Sequence, residues 1–151
     1  MTSLEDDERH FRELTERMRL HFAAQDGDLK EARELIEQGF DVNAFDEFTS
    51  TPLHCAVNGG HIEVAKYLLS VGADVNAHLE EKAGDTPLGD VAGNCSYEMA
   101  ELLIKAGANP TIPGWMGLSA LDHASGRKRK EGVRVYELLL ETAKKKFHWG
   151  E

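Results

Sequence analysis

A leucine recurs along this chain with a period that few folds can accommodate. Aligning RLHFAAQDGD, PLHCAVNGGH, PLGDVAGNCS and ALDHASGRKR places it at Leu20, Leu53, Leu88 and Leu121, with spacings of 33, 35 and 33 residues. A glycine keeps the same step: Gly39 in EQGFDVNA, Gly72 in SVGADVNA and Gly107 in KAGANPTI, 33 and 35 residues apart. Two independent markers in one register describe a chain built from short, self-similar units. A unit of this size cannot bury an apolar face alone, so the units must stack.

The second unit shows what each contains. Thr51-Pro52 can start a helix, because proline in a first turn gives up an N–H that has no partner there. Leu53, Ala56 and Val57 then recur at helical spacing. Asn58-Gly59-Gly60 ends that helix and turns the chain. Val64, Ala65, Leu68 and Leu69 form a second stripe, and Gly72 supplies the left-handed conformation that stops it. His54 follows the Thr-Pro, His61 follows the glycine turn, and Cys55 lies next to the core stripe. His54 and His61 fall on different helices and Cys55 points away from His54, so no metal site is expected among them.

At these residues the chain resembles the ankyrin-repeat family, over about residues 10–145 and best over 46–78. The resemblance implies an all-α fold: a curved α-solenoid of stacked helix-turn-helix units with β-hairpin-like connecting loops and a concave face. It implies one domain spanning 1–151, with an N-terminal helical cap over about 3–17 and repeats over about 13–45, 46–78, 79–113 and 114–147. It also points to small stand-alone ankyrin-repeat proteins of the kind associated with bacteria.

Two departures concern loops. HLEEKAGD, before Thr86, is two residues longer than the equivalent loop before Thr51, either as a tolerated insertion or as a functional loop. The turn GRKRKEG in the fourth unit is about three residues longer than its counterparts. Its four consecutive basic residues, Arg127 to Lys130, read as a solvated loop, with nucleic-acid contact as a remote alternative. Two more concern single residues. The resemblance implies that His54 hydrogen-bonds at the start of its unit; Gly89 replaces that histidine in the third unit, so its hydrogen bonds must be made otherwise or not at all. Cys95 stands in an inter-helix turn, where it is expected to be more exposed than Cys55 with no basic residue close by. In the last unit Val135, Leu138 and Leu139 predict a helix that still packs, and Lys144 to Lys146 complement its C-terminus. At the other end Leu4, Phe11, Leu14 and Met18 predict one helix over about 4–25 that caps the stack. Ser3 and Asp6 would form its capping box.

Charge and cysteine usage bound the partners. The net charge is −10, but residues 127–146 carry eight basic and three acidic side chains, a local +5 that leaves −15 elsewhere. So acidic a body repels phosphate backbones and favours a basic partner. Two cysteines and an acidic N-terminus without an apolar stretch point away from export and disulfides, to the cytoplasm. No apolar run approaches a membrane span, so no membrane partner is expected.

In the family, partners meet the loop tips and the adjoining concave face. Carried over, those positions are Glu47, Phe48 and Ser50; Lys82, Ala83 and Asp85; and Trp115, Met116 and Leu118. The turn-side positions are Gln25, Asp26, Asn58, Gly59, Gly93 and Asn94. Phe45, Phe48, Trp115 and Met116 fall in loops, and Asp46, Glu47, Glu80, Glu81 and Asp85 surround them with negative charge. Aromatic residues and methionine are enriched at interface hot spots. Either Trp115 is exposed or PTIPGWMG folds it back onto the last unit.

No nucleophile elbow, P-loop, HExxH, metal-spaced cysteine pair or dinucleotide fingerprint is present. Asp122-His123 are adjacent and point apart on a helix. The sequence therefore predicts no catalysis, cofactor, metal or small-molecule substrate. It predicts a protein–protein interaction module, with an inhibitor or immunity-type protein that occludes a basic-rimmed enzyme as the alternative.

Overall fold

The computed structural model describes residues 3–151. Met1 and Thr2, the first two residues of the domain read from the sequence, lie outside the described residues.

Four helix pairs stack in register. They are α2 (Arg19–Asp26) with α3 (Leu29–Glu37), α4 (Pro52–Asn58) with α5 (Ile62–Ser70), α6 (Pro87–Val91) with α7 (Tyr97–Lys105), and α8 (Ala120–Ser125) with α9 (Lys130–Phe147). The first helices pack as a continuous row, α2 on α4 on α6 on α8. The marker leucines lie inside it: Leu20, Leu53 and Leu88 are 0–1% exposed and Leu121 5%. Leu35, Val64, Leu68, Leu103, Val135 and Leu139 close the core from the second helices. Gly39, Gly72 and Gly107 take φ of 95°, 101° and 98°, the conformation the sequence reading asked of them.

No strand occurs among the described residues. The connecting loops are held by asparagine instead. Asn43 donates to the Gly72 carbonyl and accepts from the Asp74 N–H; Asn76 does the same with Gly107 and Asn109. Each amide thus locks one loop onto the next.

The histidine of the TPLH segment couples units in the same way. Thr51 caps α4, and His54 Nδ1 accepts from the Thr51 N–H at 3.0 Å. That fixes the tautomer, so Nε2 donates to the Asp85 carbonyl in the next loop, at 2.7 Å. His21 reaches forward to the Ala44 carbonyl in the first unit. In the third unit Gly89 leaves this job to Asp85, whose carboxylate accepts from the Trp115 N–H at 3.1 Å. A side chain at Gly114 would overlap that carboxylate. In the fourth, Asp122 keeps only the local half, closing a capping box with Ser119. His61 donates backward to the Gln25 carbonyl at 2.8 Å, its ring wedged where side chains at Gly27 or Gly59 would collide with it.

Five expectations are corrected. The single helix over 4–25 is two: α1 (Ser3–Arg17) ends, and Met18, at φ −94° and ψ 4°, bends the chain into α2. Hydrogen bonds from Met18 to Leu14 and from Phe22 to Met18 run through the bend. α1 does not cap the stack, since none of its residues is buried. Ser3 is itself helical, so it is not the cap of a capping box. Cys95 is buried while Cys55 is only half-buried, the reverse of the expected order. Nor does Cys95 lack a basic neighbour, because Arg127 reaches back from the next unit and donates to the Ala92 carbonyl. Burial still pushes the Cys95 thiol up, against the opposing pull of Arg127.

Candidate functional site

Three successive loops bring part of the expected surface together. The first tip, carrying Phe48, is built on Asp46, whose carboxylate accepts from the Phe48 and Ser50 N–H groups at 2.8 and 2.9 Å. The second is a short 3₁₀ turn, Glu80–Lys82, that ends on Ala83 at φ 51°. Its two extra residues are absorbed in this turn, which sets Lys82 and Gly84 beside Thr49. The third tip carries Trp115 and Met116, closed by the Gly114 N–H donating to the Leu118 carbonyl at 2.9 Å.

Between these tips lies a hollow of about 230 Å³. Phe48, Ser50, Lys82, Asp85 and Trp115 line it, together with the buried His54 and the exposed Asp90. Phe48 is 79% exposed and Trp115 62%, so neither aromatic ring folds back onto the stack. Met116 is 72% exposed beside it. The expected acidic rim is thinner than its residue count. Asp46 and Asp85 are engaged with loop backbone, while Glu47, Glu80 and Glu81 stand free in solvent.

A second groove, about 310 Å³, adjoins the first through Asp85 and Asp90 and runs along Gly93, Asn94 and His123. Asn58 belongs to the same face, donating to the Asp90 carboxylate at 3.1 Å. Phe45 does not join them. It lines a separate hollow with Asn43, Asp74, Asn76, Ala77 and His78. Leu118 and Glu81 lie at the loop tips without lining either hollow.

Burial dominates the electrostatics around the hollow. It pushes the Asp90 carboxyl up from its ordinary value, while His54 and the Asn58 hydrogen bond pull it down. It lowers the His54 imidazole, against the Asp85 carbonyl and nearby carboxylates. It raises the Cys55 thiol to about 12. The lowered His54 imidazole and the raised Cys55 thiol are the uncharged forms at neutral pH, so neither is poised to react. Among the described residues no cluster of three His, Cys, Asp or Glu side chains could hold a metal ion, and no helix is long and apolar enough to cross a membrane.

The sequence reading missed Asp90 and His123. Both sit two residues after a marker leucine, the register shared by Phe22 and Cys55. Following that position from unit to unit would have found the groove.

Comparison with known families agrees with the stacked units. Residues 20–69 match the model for ankyrin repeats (many copies), and residues 83–115 match that for the ankyrin repeat. The matches begin at the first marker leucine, so α1 lies outside them, as do α8 and α9. No curated protein matches the sequence.

Proposed function

We propose that this chain, which belongs to the ankyrin-repeat family, binds a basic-rimmed protein through the hollow between its loop tips and the adjoining groove. Ankyrin repeats are in general protein–protein interaction modules, and the open question is which surface serves here. One observation carries the reading: Phe48 and Trp115, from loops two units apart, stand exposed at one hollow whose lining includes Asp85 and Asp90. Exposed rings of this size are what an interface core uses, and charge around them steers the encounter. Ser50, Asn58, Lys82, Asp85, Asn94 and Met116 complete the contact surface, with Glu47, Glu81 and Leu118 on its rim. Phe45, in its own hollow, sits outside it. The protein acts by occupying a surface rather than by catalysis, in a compartment that keeps Cys55 and Cys95 reduced.

The test is affinity capture from lysate with the wild-type chain beside a Phe48→Ala/Trp115→Ala variant. A protein held by the wild type and lost with the variant supports the reading. Identical captures overturn it.

A further inference from the structure

α1 carries an apolar stripe that the rest of the molecule leaves uncovered. Leu4 and Phe11 are each 70% exposed, and Phe22, past the bend at Met18, is 46% exposed. Leu14 and Met18 are half-buried. At about 100° per residue, Leu4, Phe11, Leu14 and Met18 fall within one arc of roughly 80°. A helix of 15 residues is marginal in water on its own. α1 gains stability wherever that stripe meets another apolar surface.

We propose that the surface is α1 of a second copy of this chain, paired antiparallel about a two-fold axis near Phe11. Leu4, Phe11 and Met18 are spaced seven and seven, the period at which helices pair along a seam. Because the two arms about Phe11 are equal, a reversed copy sets Phe11 against Phe11 and Leu4 against Met18. That self-complementarity is what a two-fold interface requires.

Charge selects the antiparallel order. Glu5, Asp6, Asp7 and Glu8 form an unbroken acidic run that Arg9 only partly offsets, whereas in residues 10–17 Arg12 and Arg17 balance Glu13 and Glu16. Parallel pairing would lay the two acidic runs side by side. Antiparallel pairing lays each along the arginine-bearing half of the other. Glu8 and Arg12, an exposed pair 3.7 Å apart beside Phe11, can then each face the other across the seam. With six acidic and three basic side chains, α1 is unsuited to an anionic membrane surface. Such a pair would present two loop-tip hollows, which raises avidity for a partner that is itself multivalent.

The experiment is sedimentation velocity on the full chain over about a hundredfold range of concentration, with wild type, Phe11→Glu and Phe11→Ala. The wild type is expected to dimerise, and Phe11→Glu to weaken the dimer by about tenfold or more. Phe11 lies outside the core, so the variants should keep the wild-type unfolding midpoint at concentrations where the wild type is monomeric, and that is measured alongside. Under mild oxidation Phe11→Cys is expected to bridge two copies, and Leu4→Cys is not. A wild type that stays monomeric, a dimer indifferent to Phe11→Glu, or equal bridging by Leu4→Cys overturns the proposal. So does flotation of the chain with phosphatidylcholine/phosphatidylserine vesicles. Loss of partner binding by Phe11→Glu at concentrations where the wild type is itself monomeric also overturns it, by assigning the stripe to the partner surface.

Discussion

His54 shows how one side chain can serve both a unit and the joint between units. Both ring nitrogens are engaged and the ring is 1% exposed. Protonating Nδ1 would turn the acceptor of the Thr51 N–H into a second donor. The folded-state pKa is therefore lowered, chiefly by burial. A lowered histidine pKa means that the unfolded chain takes up the proton first. The His54 contribution is thus complete above about pH 6.5 and shrinks as pH falls below that value toward the folded pKa. Replacing His54 by Gln should cost about 2–4 kcal/mol at pH 7.5, from lost hydrogen bonds and imperfect packing. Urea unfolding should show a narrower gap between wild type and variant at pH 5.5. An equal gap at both pH values would contradict this account of His54. Asp90 works in the opposite sense: its raised pKa means that the folded chain takes up the proton first, so its unfavourable contribution shrinks as pH falls.

At the scale of elements, the turn before α9 separates a structural arginine from a solvated basic run. Arg127 donates to the Ala92 carbonyl at 3.3 Å and lies against Gly132, whereas Lys128, Arg129 and Lys130 are exposed. Arg127→Ala should lower stability by about 1–2 kcal/mol, from the lost tie and lost packing. Neutralising the other three should change it by less than about 0.5 kcal/mol. Thermal unfolding of both variants checks this, and a larger loss from the triple variant would contradict it. The same turn marks where sequence reading stopped. The repeat could be read from the leucines and glycines because helix packing and left-handed stops demand those residue types at fixed intervals. The contact of Arg127 with the third unit leaves no trace in local pattern, so Cys95 was taken for an exposed thiol. The Asp85 clasp on the Trp115 loop spans 30 residues and was equally hidden. α1 misled for another reason. An apolar stripe at helical spacing looks the same whether it folds onto its own stack or stands off to meet another surface.

For the molecule as a whole, the charge of −10 favours a basic partner, and the two exposed aromatic tips offer the place where it would dock. The exposed aromatics of the candidate site were legible as loop residues that no stacking unit requires. That Phe48 and Trp115 share a hollow, and that Phe45 does not, follows from the stacking geometry, which sets loops two units apart side by side. The most direct test of the account is the affinity of a captured, purified partner for wild type and for Phe48→Ala/Trp115→Ala, each at low and high salt. The account predicts that the variant loses about 2 kcal/mol or more at either salt, and that high salt weakens the wild type. Equal affinities for the two chains would contradict it.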